Sequence, residues 1–340
     1  MTLRNDIPDT CEIRQCWFTG RRVIHSTKRM GRPYEFVAQA PRRKDVLCPF
    51  CPGNESKTPP EVAACRPEGS SANSPDWSLR VIPNKFPALL KHPPNCAEAE
   101  QNPFCIPGIG IHEVVVETPI HDLSFCSFSA DRLLTVFKYW RDRFCALAKE
   151  SQVRYIQLFK NSGALAGASI QHAHSQIQTL PFIPELVARE IDSAALYAKE
   201  KGGCIFCAAV DGALKPNADC FVADNEKFVV FTPFASLYPY ETWLFPKFHH
   251  SSFALVDDGD LSYLADLFVD LFYRYHAVFA PDFPFNLILH TAPVATAEET
   301  SFHWHFELYP QFAKIAGFER GTGVYINAIP PEYAARRLRL

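Results

Sequence analysis

The stretch Asn161-Ser-Gly-Ala-Leu-Ala-Gly-Ala-Ser-Ile-Gln-His172-Ala-His174-Ser-Gln176 decides how the rest of the chain is read. Its first half is a small-residue loop, in which Gly163, Gly167 and Ser169 let backbone N–H groups approach an anion closely. Its second half alternates His172, His174 and Gln176 with the small residues Ala173 and Ser175. Read as a strand, a period of two puts both imidazoles and the amide on one face. The stretch therefore predicts an anion cradle beside a row of nucleophile-capable side chains.

Working outward, Val153–Phe159 reads as the strand that feeds this loop, and Pro181 and Pro184 end the strand that leaves it. Upstream, Ile111–Thr118 is a β-branched strand ending near His121. Residues 129–150 carry Leu133, Leu134, Phe137, Trp140 and Phe144 at helical spacing, with Ser129 or Asp131 near the cap. Arg21–His25 and Tyr34–Ala38 read as short strands, residues 1–20 as an irregular arm, and 56–76 as a polar loop. The basic turn from Lys28 to Arg32 reads as solvated. Downstream, Glu185–Lys201 and Asp260–Phe279 read as helices, and Lys227–Thr232, Glu241–Phe245 and Phe285–His290 as strands.

The order recurs. Cys48-Pro-Phe-Cys51 precedes the first set and Cys204-Ile-Phe-Cys207 the second, and His303-Trp-His305-Phe-Glu307 repeats the HxHxQ pattern up to a proline. Each set runs CxxC, strand ending near a His, long helix, strand, HxH strand, Pro. This predicts an internal duplication with domains at 1–182 and 183–340. The copies differ: Glu307 stands where the first copy has Gln176, and Leu287-Ile-Leu289 where it has the glycine loop.

Composition limits the alternatives. With 340 residues and 28 Phe the chain can bury a sizeable core and is not a disordered one. A net charge of −3 with no long basic run argues against coating nucleic acid. The N-terminus has no apolar leader and no apolar run spans a bilayer, so a soluble, cytoplasmic protein with no membrane partner is expected. Of the 12 cysteines, four form the two CxxC pairs. In a reducing compartment such pairs point to metal or redox chemistry. A redox pair belongs at a helix start with one exposed thiolate. These pairs read as Pro/Gly turns or as following a helix, which favours metal.

The glycine loop with HxHxQ resembles the histidine triad superfamily, and the doubled architecture with Cys48-Pro-Phe-Cys51 resembles its galactose-1-phosphate uridylyltransferase family. Within that family Lys160-Asn161-Ser-Gly163, His172-Ala-His174-Ser-Gln176 and Gly321-Thr-Gly323-Val-Tyr-Ile-Asn327 resemble the ADP-glucose phosphorylase branch. Uridylyltransferases proper carry HPHGQ, where this chain has Ala173 and Ser175. The resemblance implies an α+β fold of two fused histidine-triad (HIT-like) domains, with antiparallel sheets and crossing helices. The strands are expected to form one nine- or ten-stranded surface or two facing sheets. It implies a nucleotidyltransferase working by ping-pong through a nucleotidyl-histidine at His174, with Gln176 on the phosphoryl group and Asn84 and Asn161 contacting nucleotide or phosphate. UDP-glucose with galactose 1-phosphate is the first reading of the substrates; transfer of AMP from ADP-glucose to inorganic phosphate is the second. It further implies two structural zinc ions. Cys48, Cys51, His121 and His172 would hold one. Cys204, Cys207, His303 and His249 would hold the other, with His250 the alternative to His249. A homodimer is implied as well.

The chemistry stands without the family. A neutral imidazole, with an ordinary pKa of ~6.5, attacks phosphorus and later leaves it, splitting one hard transfer into two. Two Cys and two His fill a tetrahedral shell, which leaves no open position for water. His112 reads as a surface or core histidine, and His290 and His305 as packing or spare ligands. Glu307 reads as non-catalytic, and His25, His92 and His276 carry no expected role. The rivals are a nucleotide-phosphoramidate hydrolase and a non-enzymatic zinc-stabilised binding protein, for which the HxH pairs would be ligands alone.

Overall fold

Several central strands, Phe228–Phe231 and Thr242–Pro246 among them, are buried along their whole length, so both faces of their sheet must be covered, one of them by two long amphipathic helices. The computed structural model describes residues 9–31, 47–94, 102, 104–279, 281–294, 301–312 and 315–339. The strand expected at Tyr34–Ala38 lies outside these residues.

Ten strands form one antiparallel sheet: β3 (Ala63–Cys65), β4 (Leu79–Pro83), β5 (His112–Val116), β6 (Tyr155–Ser162), β7 (His174–Leu180), β8 (Phe221–Asp224), β9 (Phe228–Phe231), β10 (Thr242–Pro246), β11 (Phe285–His290) and β12 (His305–Pro310). Their order across the sheet is β3-β4-β5-β7-β6-β11-β12-β10-β9-β8. Read outward from the centre, the second half repeats the first, and the copies meet where β6 pairs with β11, Asn161 opposite Asn286. The single ten-stranded surface is thus the outcome, and the α+β expectation holds.

One face of the sheet is covered by α1 (Ala130–Leu147) and α4 (Asp258–Val278), which also pack on each other. Ser129 Oγ caps α1 by accepting from the Arg132 N–H, and Asp257 Oδ1 caps α4 by accepting from Asp260, at 2.7 Å. Val115, Ile156, Leu158 and Ile177 from the first half join Val230, Leu244, Leu287 and Phe306 from the second in one core beneath these helices. The opposite face carries two smaller apolar clusters. Phe50, Ile82, Val114 and Val116 form one; Phe206, Trp243, Phe245 and Phe302 form the other. Both CxxC knuckles and both HxH runs lie on this second face.

Three regions depart from the sequence reading. The arm expected to be irregular contains β1 (Cys11–Gln15), which pairs with β2 (Arg22–Ser26), and β2 runs parallel to β13 (Tyr325–Asn327). This small sheet lies against the second copy: Phe18 stacks on Phe206 at 4.7 Å, and Val23 packs with Ala235 and Leu237. The polar stretch 56–76 supplies β3, the outermost strand on its side of the large sheet. The third departure is a helix. Besides α2 (Glu185–Lys201), the short α3 (Ile205–Ala213) begins at the second knuckle, with Cys204 as its N-cap. Two further helices, α5 (Gly317–Thr322) and α6 (Pro331–Leu338), close the chain. Among the described residues no helix is long and apolar enough to cross a membrane.

Candidate active site

Strand β7 starts at His174, so His172 precedes it in a bend, but the Ala173 carbonyl still accepts from Glu117 N. The pairing register therefore carries through, and the Phe50 ring lies edge-on to both imidazoles, 6.2 Å from His172 and 5.3 Å from His174. The two rings do different work. His172 donates from Nε2 to the Thr118 carbonyl at 2.6 Å, which leaves the Nδ1 lone pair facing Cys48 and Cys51 Sγ, each 3.7 Å away. His174 donates from Nδ1 to the His172 carbonyl at 2.8 Å, which leaves Nε2 as the lone-pair nitrogen. His174 keeps 7% of its surface exposed, and its Nε2 is not among the fully buried unpartnered atoms. Burial, with the Lys160 cation second, pushes its pKa down to about 4. At neutral pH the ring is uncharged and its tautomer is fixed.

The expected metal ligands gather. Cys48, Cys51, His121 and His172 place one donor atom each within 4.8 Å of one another, as do Cys204, Cys207, His249 and His303. Sulfur–nitrogen separations of 3.4 Å for Cys51–His121 and 3.3 Å for Cys207–His249 match the edge of a tetrahedron about 3.5 Å long, built on ordinary zinc–ligand lengths. His249 rather than His250 joins the second set. Both donor sets fit a closed four-coordinate ion. The bracing differs: His303 Nε2 is buried with no hydrogen bond, where His172 has the Thr118 carbonyl. The second knuckle does sit at a helix start, contrary to the sequence reading, and Cys204 is pushed down to about 4, chiefly by its hydrogen bond with Cys207. The two histidines beside it, not the turn geometry, are what favour metal over redox chemistry there.

The remaining expected residues are placed as follows. Gly163 has φ +83° and Gly167 φ +87°, and a Cβ on Gly163 would lie 3.1 Å from Pro284; both positions need glycine. The loop offers fewer donors than its sequence suggests: the Ala166, Gly167 and Ala168 N–H groups bond to carbonyls of Gly163 and Ala164 inside the loop. Ser169 is exposed at its far end. Asn161 accepts at 2.7 Å from Asn286 Nδ2, which also reaches the Ala166 carbonyl, so the second copy holds the loop of the first. Asn84 Oδ1 accepts from the Phe86 N–H at 2.9 Å, and its Nδ2 faces His112. Gln176 Oε1 is 2.9 Å from His112 Nε2.

Several residues around the site take contacts that the sequence did not foretell. Lys160, on the core side of β6, donates to Glu117 at 2.6 Å and to the His174 carbonyl at 2.9 Å, and both of its partners are buried. Trp140 Nε1 donates to Ser175 Oγ at 2.7 Å from the same side. In the second copy Glu190, His290, His305 and Glu307 converge, all buried. His290 touches Glu190 and Glu307 at 3.0 Å each, and Tyr309 donates to Glu307.

Comparison with known proteins follows the same lines. Residues 5–184 match the family described as galactose-1-phosphate uridyl transferase, N-terminal domain, and residues 124–339 match a domain of unknown function, DUF4921. The chain is 35% identical to ADP-glucose phosphorylase of Arabidopsis thaliana, covering 96% of this chain and 92% of that protein. It is 30% identical to galactose-1-phosphate uridylyltransferase of Thermotoga maritima, covering 78% and 85%. Among solved structures, an Arabidopsis thaliana ADP-glucose phosphorylase with bound ADP-glucose superposes with a TM-score of 0.83 at 34% identity, covering 97% of this chain and 98% of that one. A uridylyltransferase does so at 0.73 and 26%, covering 96% and 97%. With the fold, the paired HxH runs and these relatives together, the chain belongs to the galactose-1-phosphate uridylyltransferase family, as an enzyme of its ADP-glucose phosphorylase-like branch.

Proposed function

We propose that this enzyme moves the nucleotidyl group of a nucleotide sugar through a covalent nucleotidyl-His174, with ADP-glucose as donor and inorganic phosphate as acceptor. The observation that carries the reading is the state of His174: uncharged, held in one tautomer by the His172 carbonyl, with the Nε2 lone pair left over. In the first step that lone pair bonds the α-phosphorus while the bond from phosphorus to the bridging oxygen breaks, and glucose 1-phosphate departs with the electrons. Nδ1–H stays on its carbonyl, so the ring takes up positive charge with no proton to move. In the second step a phosphate oxygen attacks, the N–P bond breaks, and ADP leaves. Gln176 supports the charge on the phosphoryl oxygens, a contribution of about 3 kcal/mol for a well-placed donor.

The two metal sets read as structural zinc. A bound ion would fix the ring of His172 and so the carbonyl that orients His174. The base rests on the relatives in the ADP-glucose phosphorylase branch. The second reading, uridylyl transfer from UDP-glucose to galactose 1-phosphate, is supported by the family match over residues 5–184 and by the uridylyltransferase relatives. The mirrored strand order supports two histidine-triad units at 1–182 and 183–340, with the N-terminal arm lodged on the second. We place the enzyme in the cytoplasm as a homodimer.

Incubation with labelled ADP-glucose or UDP-glucose, without acceptor, tests the reading. Label that survives base, is lost in acid and maps to His174 is expected from ADP-glucose, released as ADP on adding phosphate. Label from UDP-glucose alone selects the second reading. Label from neither leaves the zinc-stabilised binding protein.

A further inference from the structure

A glutamine serves a phosphoryl oxygen only if its amide presents N–H and not C=O, and the two ends of a primary amide have nearly the same shape. Something must choose the end. Behind Gln176 lies a chain of contacts that runs through His112 to Asn84 and the Phe86 backbone. The Phe86 N–H can only donate, so Asn84 Oδ1, 2.9 Å away, is the accepting end of that amide. Asn84 Nδ2 therefore turns to the His112 ring, 3.5 Å from Nδ1 and 3.3 Å from Nε2. The Asn84 N–H in turn donates to the His112 carbonyl at 2.7 Å, locking the two residues together. A donor against an imidazole needs a lone pair there. An uncharged ring has one, and burial lowers the pKa of His112, keeping it uncharged. Gln176 Oε1, 2.9 Å from His112 Nε2, can only accept, so the ring proton sits on Nε2 and the lone pair on Nδ1, which Asn84 Nδ2 faces at 3.5 Å. The Gln176 carbonyl is thereby used, and its NH2 is the end left for a ligand.

We infer that His112, backed by Asn84, is a positioning residue that fixes the Gln176 amide with its N–H groups toward the transferred phosphoryl group. This rests on the nucleotidyl-His174 reading. It turns Asn84 inward as well, with one oxygen lone pair on the Phe86 N–H and one amide hydrogen toward the ring. His112 belongs to β5 and Gln176 to β7, neighbours in the sheet with Gln176 opposite Val114, so the relay exists only through strand pairing.

The test follows the rate constant for labelling His174 from ADP-glucose or UDP-glucose, whichever the wild type accepts, in a two-by-two set. His112→Phe is expected to slow labelling about 10- to 100-fold with KM within about twofold, because an oriented donor acts on the transition state. His112→Gln, which keeps an N–H donor, is expected to recover most of that loss. In the Gln176→Ala background His112→Phe is expected to add nothing further, since a residue acting through a partner has no effect once the partner is gone. Melting temperatures of all variants separate this from unfolding. Wild-type labelling by His112→Phe, or losses that multiply in the double variant, would overturn the inference and leave the reading of His174 intact. A wild type that labels from neither sugar overturns both.

Discussion

In the first copy His174 donates through Nδ1 to the carbonyl two residues back, and its Nε2 has no hydrogen-bond partner among the described residues; in the second, His305 makes the same bond at 3.0 Å, and its buried Nε2 faces the Glu307 carboxylate at 3.5 Å. The strands, the tautomer lock and even the aromatic neighbour are repeated, Phe50 beside His174 and Phe206 beside His305. What changes is the residue two positions on, and the residue on the next strand. Gln176 becomes Glu307, and the place that Asn161 holds on β6 is taken on β11 by His290. A carboxylate there repels a phosphoryl group and attracts a cation, and His290 supplies one from inside the chain. Under the proposed reading one corner is left to a substrate, while the other is filled by its own charges.

The largest effect expected from breaking this comparison is at the two imidazoles. His174→Ala should remove nucleotidyl label altogether and cut turnover by at least about 10⁴-fold, as removal of a covalent nucleophile does. His305→Ala should still take one label per chain in the same assay, at a lower melting temperature.

The buried charges come next, and they lie on opposite sides of the sheet. Lys160 and Glu117 are on the helix side behind β7. Lys160→Met strands Glu117, whose carboxyl burial already holds above its ordinary range, and should cost about 3–5 kcal/mol in urea unfolding. Glu307→Gln, which gives the second copy the residue of the first, should create no second labelling site and should destabilise by about 1–3 kcal/mol.

That variant also sharpens the comparison through pH. Burial alone would lower the pKa of His290, yet Glu190 and Glu307 hold it well above its ordinary value. A raised histidine stabilises fully below its unfolded pKa of ~6.5 and loses that contribution as pH climbs through the folded value. Wild-type Tm should therefore gain more between pH 8 and pH 6 than that of Glu307→Gln. An equal gain in both would remove His290 from the account.

The metal sets give the smallest contrast in activity. Cys48→Ser and Cys207→Ser should each lose about one zinc per chain by elemental analysis. Only the first should slow labelling, by about 10- to 100-fold, because His172 of that set carries the carbonyl on which His174 hangs.

Much of this was legible beforehand where a residue's own chemistry or spacing carried it. Residues 129–150 and 260–279 show their period, the β-branched run at 111–118 shows its strand, and the CxxC and HxH spacings show both donor sets. The parts that were not legible depend on neighbours distant in sequence. β1 and β3 are short and take their pairing from β2 and β4. The Ser162–Ser169 loop spends N–H groups on itself, which composition does not reveal. Lys160 stands in the sequence only as part of a family motif, and His112 reads as a surface or core histidine. Only the register of β5, β6 and β7 puts one behind His174 and the other against Gln176.

The small sheet that joins β2 to β13 has a consequence for how the molecule comes into being. Val23 lies beside Tyr325 there, so the parallel pairing of β2 cannot form until residues 325–327 have been made. Phe18 finds its cover sooner, on Phe206 and Trp243 of the second copy. Closing of this small sheet thus waits on the second copy, and removal of β13 would leave β2 paired with β1 alone.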